Sequence, residues 1–507
     1  MTKLREKVKY MNITNVIVDY YKKAKKKFFE KFENIKKLKV FIKPFLILSV
    51  IYIIAFSAII RANFLYVDDL GRAYSGYKDW DAFSRYTSNF LATFIHCGNY
   101  LTEISPLTQI IAIAFLSISG IIILYVLTKK HSFTFWEYTS VAILGISPYF
   151  LECISYKYDS PYMALSILAA VFPMLFYNKK NIFFIITTML SVIISCTTYQ
   201  ASLGIFPIFV ILMAFIMWSK KDNFKDIIKF IGFALIGYLL GLIIFKLFII
   251  NPVNGYVSSN ISTNFKLIIE NYKKYFEYIK SDFRPEWIAL IILLYLSFIY
   301  KSVRTSKQNK FLTFIISLFT LVILNCICFG LYPALEKPLF NPRAMYGFGV
   351  CISLIVTYIV KSDKFAIGKL ISIAIFWTFL IFSFTYGNAL YQQQEYTDFR
   401  IGLIINDLMD NDLLSNNETK NIRIVGTIGT APAIRMIPKD YGILDRLMPD
   451  TFGGSTWYWA TFKFEHYYGL KNIKINNNIS KNLPVVVSNS YHTIKAKGTD
   501  IFIELNS

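Results

Sequence analysis

Four short stretches of this 507-residue sequence place charged and aromatic residues together at the ends of apolar runs. The first, "YVDDLGRAYSGYKDW" (66–80), contains Asp68, Asp69, Arg72 and Trp80. A carboxylate can act as a general base when it lies within hydrogen-bond reach of the hydroxyl that it deprotonates. Adjacent side chains on a helix do not face each other. One aspartate could therefore be the base or a metal ligand while the other orients a partner, and the alternative is a pair of solvated loop acids.

The other three stretches combine a cation or an amide with tyrosines. They are "ISYKYDSPYM" (154–163) with Tyr156, Lys157 and Asp159, "IISCTTYQASLG" (193–204) with Tyr199 and Gln200, and "LEKPLFNPRAMYGFG" (335–349) with Arg343. A carboxylate at a helix end usually has a partner, and Lys157 and Arg72 are the candidate partners of Asp159. Arg343 could bind a phosphate bidentately or extend to the membrane interface. The aromatic residues, Trp80 among them, could stack on a sugar or belong to the core.

The elements that must position these residues are membrane helices. The chain is 55% hydrophobic and only 17% charged, and its apolar runs are long enough to cross a bilayer core of roughly 30 Å. Only helices and closed barrels span lipid, and these runs do not alternate, so we predict an all-α polytopic membrane protein. We expect about eleven transmembrane helices, at roughly 43–60, 106–127, 133–150, 161–177, 182–197, 201–218, 227–250, 286–300, 311–329, 345–360 and 366–386.

The loops between these runs differ in charge. One set, typified by "SKKDNFKD" (219–226) and "KSVRTSKQNK" (301–310), is rich in lysine and arginine, whereas acids and bases nearly balance in the other set. The positive-inside rule therefore predicts a multi-pass protein of the cytoplasmic (inner) membrane with a cytoplasmic N-terminus. An odd number of spans places the tail on the outer face, together with the balanced loops 61–105, 151–160, 198–200, 251–285 and 330–344.

Residues 1–42 form a basic, amphipathic N-terminal segment that we expect in the cytoplasm. The stretch "KKAKKKFFEKF" (22–32) interleaves lysines with phenylalanines at helical spacing. This pattern is typical of a helix on an anionic inner leaflet. We therefore interpret the net charge of +22 as suited to binding the lipid bilayer and not nucleic acid.

The tail, 387–507, differs in composition from the bundle at 43–386. The runs "NIRIVGTIG" (421–429), "NLPVVVSN" (482–489) and "TDIFIEL" (499–505) are rich in Val and Ile, as strands are. We predict a small C-terminal α/β domain on the outer face. Within it "GTIGTAP" (426–432) is expected to be a turn, because it lacks the lysine of a phosphate-binding loop.

One further stretch, "DAFSRYTSNFLATFIHC" (81–97), has apolar residues on a single helical face. It is too short and too polar to span the membrane, so we expect an amphipathic helix on the outer membrane surface. The chain has four histidines and six cysteines, scattered without metal-ligand spacing, and we expect no zinc site.

Together these features resemble the type II O-antigen glucosyltransferase family, within the GT-C superfamily of glycosyltransferases that use polyprenyl-phosphate sugars. The resemblance rests on "DDLGRAYSGY" (68–77), "SYKYDSPYM" (155–163) and "TYQASLG" (198–204), and "NPRAMYG" (341–347) adds support. It implies a GT-C-like bundle with outer-face loops. It also implies an enzyme that moves a hexose, typically glucose, from a polyprenyl-phosphate carrier to a surface glycan such as O-antigen or cell-wall polysaccharide.

The resemblance also implies a role for each polar residue. Asp68 or Asp69 would be the catalytic acid of the first loop, and the pair could hold a divalent cation, Mg²⁺ or Mn²⁺. The donor phosphate would be bound by Arg72, Arg343 and Lys157. The sugar and acceptor site would be lined by Tyr156, Asp159, Tyr199, Gln200 and Trp80.

Two other functions fit the same localisation. A flippase or transporter of lipid-linked sugars would show internal repeats and charged or broken segments deep in several spans. Lys246 is the main basic residue that we place well inside a span. A glycan polymerase would use an oligosaccharide block as its donor and not a single sugar. Both remain alternatives to the transferase.

Overall fold

The computed structural model describes residues 40–250, 260–361, 365–414, 418–435, 437–439, 441–450, 452–454, 463–465, 469–470 and 472–507. Almost all of the predicted N-terminal segment 1–42 lies outside these residues, as does part of the predicted loop 251–285. The named helices are, in chain order, α1 (Val40–Ala62), α2 (Asp68–Ser75), α3 (Tyr86–Ile95), α4 (Leu107–Thr128), α5 (Phe135–Ile146), α6 (Pro148–Ser155), α7 (Ser160–Val171), α8 (Asn181–Thr198), α9 (Ile205–Ser219), α10 (Phe224–Ile244), α11 (Phe265–Asp282), α12 (Pro285–Thr305), α13 (Lys310–Ile327), α14 (Tyr346–Val360), α15 (Ala366–Asp410) and α16 (Leu444–Leu447).

Eight helices in the described part of the chain are long and apolar enough to cross a membrane: α1, α4, α8, α9 with the turn before it, α10 with its continuation to Ile249, α12, α13 and α15. Each corresponds to a predicted span, so the prediction of a helical membrane protein is confirmed. Ser160–Phe176 and Tyr346–Val360 are shorter apolar helices. The total of eleven spans stays a prediction.

The predicted span 133–150 is two helices, α5 and α6, which meet at Ser147. Pro148 causes the break, because it has no N–H to donate and it forces the preceding residue out of the helical region. Ser147 accordingly has φ −53° and ψ 135°. Helix α5 begins with a capping box, in which the Thr134 and Glu137 side chains each accept a backbone N–H from the other residue.

Helix α14 lies at the centre of the bundle, with every residue buried. Small and hydroxylated residues pack it against α5: the Ser140 and Thr357 hydroxyl oxygens are 3.0 Å apart. A Cβ at Gly349 would lie 2.2 Å from Ser147 Oγ, so this close approach requires glycine. Such small-residue contacts are typical of helices that associate in lipid.

The C-terminal region contains a five-stranded sheet in the order β2-β1-β5-β4-β3. The strands are β1 (Lys420–Gly426), β2 (Ile473–Ile475), β3 (Val485–Ser488), β4 (His492–Lys497) and β5 (Asp500–Leu505). Strand β1 is parallel to β2 and β5, and β4 is antiparallel to its neighbours β3 and β5. The three predicted strands are confirmed as β1, β3 and β5, whereas β2 and β4 were not predicted.

Helix α15 joins the bundle to this sheet without a break. Its 45 residues begin at a predicted span, and the predicted domain boundary at residue 387 falls inside the helix. Near its end Ile401, Ile404 and Leu408 are buried in the hydrophobic core of the sheet. The same helix therefore contributes to the core of both parts.

A second connection holds the C-terminal region to the bundle. The Arg446 guanidinium, just within α16, forms an ion pair with the buried Asp282 carboxylate at the end of α11. The Tyr149 hydroxyl donates to the same carboxylate at 2.9 Å. In addition, the Tyr66 hydroxyl donates to the Leu447 carbonyl at 2.7 Å. These contacts place α16 over the loop that leads to Asp68.

Candidate active site

The four polar stretches meet at one end of the helix bundle. The Lys157 N–H donates to Asp69 at 2.9 Å, which joins the first loop to the second stretch. The Gln200 side chain donates to the Phe83 carbonyl at 3.0 Å, which joins the first loop to the third. The Arg343 guanidinium lies 2.5 Å from the Glu152 carboxylate and binds the fourth stretch to α6. The structure thus brings together the loops that the charge pattern assigned to one face.

Asp69 is completely buried, and backbone N–H groups surround its carboxylate. The Oδ2 atom accepts from Tyr66 N at 3.1 Å and from Lys157 N at 2.9 Å, and Oδ1 accepts from Tyr158 N at 3.4 Å. Burial raises the pKa of Asp69 to about 7, although the Lys157 N–H, the Arg72 charge and the Tyr66 N–H act in the opposite direction. Asp69 therefore holds the first loop against the segment that follows α6.

Asp68 differs from its neighbour. It is half-buried, it begins α2, and the described residues offer its carboxylate no hydrogen-bond or ion-pair partner. Val67, directly before it, has φ 48° and ψ −101°. This backbone is strained for a β-branched residue, and strain of this kind concentrates at functional sites. Of the two adjacent aspartates, Asp68 is thus the more accessible.

The Asp69 carboxylate oxygens face backbone N–H donors: Oδ2 accepts from Lys157 N and Oδ1 from Tyr158 N. Within the described ranges, no three His, Cys, Asp or Glu side chains are grouped closely enough to hold a metal ion. A divalent cation held by Asp68 and Asp69 stays a prediction.

Arg72 and Asp159 form a buried ion pair, as the sequence suggested for Asp159. The Trp80 indole N–H donates to Asp159 at 2.5 Å, and the Arg72 guanidinium lies 4.4 Å from the centre of the Trp80 ring. Tyr162 packs edge-on against Trp80 at 4.9 Å. Only 4% of Arg72, 5% of Asp159 and 1% of Trp80 is exposed. This cluster fastens the first loop to the start of α7 and leaves little of any of these side chains open to a ligand.

Lys157 is also paired. Its ammonium group donates to Asn63 Oδ1 at 2.5 Å and lies 3.3 Å from Glu103 Oε2. Only 4% of the residue is exposed. Lys157 thus connects the end of α1 to the loop before α4.

Arg343 and Tyr156 lie beside an acid that the sequence analysis missed. The Glu152 carboxylate accepts from the Arg343 backbone N–H at 2.6 Å and from its guanidinium at 2.5 Å. The same guanidinium donates to the Tyr156 hydroxyl at 2.6 Å. Tyr156 also contacts the ring of Tyr66 at 4.7 Å. The signal for Glu152 was a lone acid in an apolar run, which usually has a partner.

Arg85 is a second residue that the sequence analysis missed. Its guanidinium lies 4.6 Å from the centre of the Tyr199 ring and 5.2 Å from that of Phe83. Its Nε donates to Gln200 Oε1 at 3.2 Å. Burial lowers the pKa of Arg85; Tyr199 and Tyr332 oppose this shift, and the charges of Arg343 and Arg72 add to it. Arg85 immediately precedes α3, in the stretch that the sequence analysis assigned to a surface helix.

A separate cavity of about 480 Å³ lies in the C-terminal domain beside the end of β1. Thr427, Asp450 and Asn477 are among the residues that line it. None of the polar residues of the bundle contributes to this cavity, so we do not assign it to the same site.

The fold and the site define a helical membrane protein with a polar, charged cluster at one end of its bundle and a small attached sheet domain. The Glucosyl transferase GtrII family profile matches residues 57–357, which is more than half of the chain. The chain therefore belongs to the GtrII glucosyl transferase family. The matched range contains all the candidate residues described above.

A relative from Salmonella phage P22 is 26% identical over 499 residues, which is 92% of this chain and 99% of that protein. It is described as an uncharacterized 55.3 kDa protein in the gtrB 5′ region. No solved structure gives a significant match to this chain.

Proposed function

We propose that this protein is a membrane glucosyltransferase that moves glucose from a polyprenyl-phosphate carrier to a surface glycan, such as O-antigen. Membership of the GtrII family supports transfer of glucose, and the P22 relative is named for its position beside a gtr gene. We further propose that the bundle lies in the cytoplasmic membrane, with its N-terminus in the cytoplasm. The polar cluster and the C-terminal domain would then face outward.

In the proposed reaction an acceptor hydroxyl attacks carbon 1 of the sugar. The bond from carbon 1 to the phosphate oxygen breaks, and polyprenyl phosphate leaves with the electron pair. Asp68 takes the proton of the attacking hydroxyl, a contribution of about 10²–10⁴ in rate for a well-placed base. Arginines at the same end of the bundle stabilise the negative charge that develops on the leaving phosphate.

We assign Asp68 as the catalytic base because the two aspartates differ in burial and in hydrogen-bond partners. Asp69 is buried, and three backbone N–H groups occupy its oxygens. Asp68 is half-buried, lies near Tyr156, and has no partner in the described part of the chain. A carboxylate that must approach a substrate hydroxyl needs to be free of such partners, so Asp68 is the better base.

The test is a transfer assay with purified full-length protein in detergent, radiolabelled polyprenyl-phosphate glucose and a membrane glycan extract. We expect Asp68→Asn to lower the rate of label transfer about 10²–10⁴-fold without loss of donor binding. Asp79→Asn is the matched control, because Asp79 is an exposed aspartate of the same loop. It should transfer label at the wild-type rate. Parallel reactions with Mg²⁺, with Mn²⁺ and with EDTA test the predicted divalent cation.

Three outcomes would contradict this proposal. Wild-type transfer with an unchanged rate in Asp68→Asn would remove Asp68 as the base. Donor binding without transfer, with acceptor and divalent cation supplied, would favour a transporter of lipid-linked sugars. Transfer of an oligosaccharide block from a lipid carrier, with no transfer of single glucose units, would favour a glycan polymerase.

A further inference from the structure

Carboxylates neutralise three of the cations at this end of the bundle, and these are the ones that the sequence analysis assigned to the donor phosphate. Arg72 is paired with Asp159, Arg343 with Glu152, and Lys157 with Glu103. A cation that already has a carboxylate partner attracts a phosphate less strongly, because the two charges largely cancel at a distance.

Arg85 has no acid partner among the described residues. Its Nε donates to the neutral Gln200 side chain, and its guanidinium lies near two aromatic rings, those of Phe83 and Tyr199. Taking an unpaired charge out of water is costly, so a cation in this position points to an anionic ligand. The side chain is half-buried and not sealed, so a ligand can still reach it.

The groups around Arg85 fix the orientation of its guanidinium before a ligand binds. Gln200 accepts from the Arg85 Nε and donates to the Phe83 carbonyl at 3.0 Å, which ties the guanidinium to its own loop. The rings of Phe83 and Tyr199 restrict the plane of the guanidinium. Its two terminal nitrogens have no partner in the described residues, and this is the edge of arginine that binds phosphate bidentately.

A second polar group beside Arg85, the Tyr199 hydroxyl, also has no partner among the described residues. Tyr199 is 1% exposed, and its hydroxyl has no hydrogen-bond partner in the part of the chain that the structure describes. The positive charges of Arg343 and Arg85 both interact electrostatically with this hydroxyl. Most buried hydroxyls are hydrogen-bonded, so the Tyr199 hydroxyl is available to hydrogen-bond a ligand that Arg85 binds.

Helix α3 indicates where the ligand would come from. It is fixed to α8 by the Thr87 and Thr197 hydroxyl groups, which lie 2.7 Å apart. Its other face is apolar and open: Phe90 is 63% exposed and Phe94 is 64% exposed. An exposed aromatic face on a short amphipathic helix is typical of the membrane interface. Arg85 immediately precedes this helix, so it would lie at the depth of lipid phosphates.

We propose that Arg85, with Tyr199 beside it, binds the phosphate group of the polyisoprenoid carrier. This proposal rests on the proposed function, since it names the residue that holds the donor. It changes the assignment made from the sequence, in which Arg72, Arg343 and Lys157 shared this role. Arg72 and Lys157 instead hold the loops together, and Arg343 remains near the leaving group with Glu152 as its partner.

The test measures binding of polyprenyl phosphate without a sugar to the full-length protein in nanodiscs of uncharged lipid. We expect Arg85→Gln to weaken this binding roughly 10- to 100-fold, because it removes charge-assisted hydrogen bonds to the phosphate. Arg85→Lys should restore part of the affinity, since a lysine keeps the charge but not the planar fork. Arg61→Gln is the matched control: Arg61 is an exposed arginine at the end of α1, over the Tyr391 ring. It should bind within about twofold of wild type.

Gln200→Leu provides an independent variant if Arg85→Gln does not fold. It keeps the cation and removes the group that orients it, so binding should weaken several-fold. Inorganic phosphate at millimolar concentration should compete weakly for the same site. Equal, Arg85-dependent binding of phosphatidylglycerol would overturn the assignment to the carrier, because the site would then recognise any lipid phosphate.

Unchanged binding of polyprenyl phosphate in both Arg85→Gln and Gln200→Leu would also overturn this proposal. The outcome is distinguishable from failure of the proposed function. If glucose transfer occurs and these variants bind the carrier normally, the function stands and the phosphate site is wrong. If carrier binding depends on Arg85 but no glucose is transferred, the phosphate site stands and the transferase is wrong.

Discussion

The buried Asp69 carboxylate makes the stability of this protein depend on pH in a way that one substitution should remove. Burial raises the pKa of Asp69 from 3.8 to about 7, so the folded protein holds this proton more tightly than the unfolded chain does. Stability from this group is fully present below about pH 4 and is lost as the pH rises toward 7. Between pH 5 and pH 8 the loss is roughly 3 kcal/mol, because the slope is about 1.4 kcal/mol for each pH unit below the folded pKa and falls to zero above it.

Asp69→Asn is the corresponding perturbation, because asparagine has the same shape and does not titrate. Its carbonyl oxygen can still accept from Tyr66 N and Lys157 N. Its amide nitrogen would face the Tyr158 N–H, which now lies 3.4 Å from an oxygen. Two donors then oppose each other, at a cost of about 1–3 kcal/mol. We therefore expect the variant to be less stable than wild type at pH 5 by that amount. By pH 8 the difference should shift by roughly 3 kcal/mol in favour of the variant, which is then as stable as wild type or more stable.

The assay is chemical denaturation of full-length protein in detergent at pH 5 and pH 8, followed by tryptophan fluorescence. Asp68→Asn is the control, because Asp68 accepts no hydrogen bond from the described residues; its stability should stay within about 0.5 kcal/mol of wild type at both values. A gap between Asp69→Asn and wild type that does not change with pH would refute the reasoning. Equal effects of the two substitutions would do the same.

Two further predictions concern the C-terminal region. Arg446→Met should lower the free energy of unfolding by about 3–5 kcal/mol, because it leaves the buried Asp282 carboxylate without its cation; denaturation in detergent checks this, and the exposed Lys439→Met should have little effect. His492 is buried, and burial lowers its pKa although a hydrogen bond to Asp407 opposes the shift. The unfolded chain thus takes up a proton at higher pH than the folded protein, so wild type should lose stability as the pH falls below 6.5. His492→Asn should show a weaker loss over the same range, and an identical pH profile would contradict this explanation.

Much of the fold was readable from the sequence, because length and hydropathy alone identify helices that cross lipid. The break at Ser147 was missed, since the residues on both sides of Pro148 are equally apolar and only the missing N–H distinguishes them. Strand β4 was missed for a related reason. Its sequence, "HTIKAK", alternates, but two lysines make it resemble a surface loop.

The sequence predicted most residues of the candidate site, but it did not predict most of their hydrogen-bond and ion-pair partners. Asp159 was expected to have Arg72 or Lys157 as its partner, and the ion pair with Arg72 confirms this prediction. The expectation that the Asp68 and Asp69 side chains point in different directions stays a prediction. Which aspartate is buried depends on three N–H groups from two separate loops. Arg85 is one cation among many in the sequence, and only the packed structure shows that no acid among the described residues pairs with it. Local sequence patterns therefore indicate which residues belong to the site. Tertiary contacts determine which of their charges are paired with an opposite charge.

The continuous helix α15 has a consequence for the geometry of the whole protein. At 1.5 Å per residue its 45 residues extend about 68 Å, of which a bilayer core of about 30 Å takes roughly 20 residues. The remaining residues, roughly 25, hold the sheet at a fixed distance from the membrane and at a fixed rotation about the helix axis, because a helix is more rigid than a loop. Each residue inserted into this stretch would lift the sheet by about 1.5 Å and turn it by about 100°. The register of α15 thus sets the direction that the sheet domain faces.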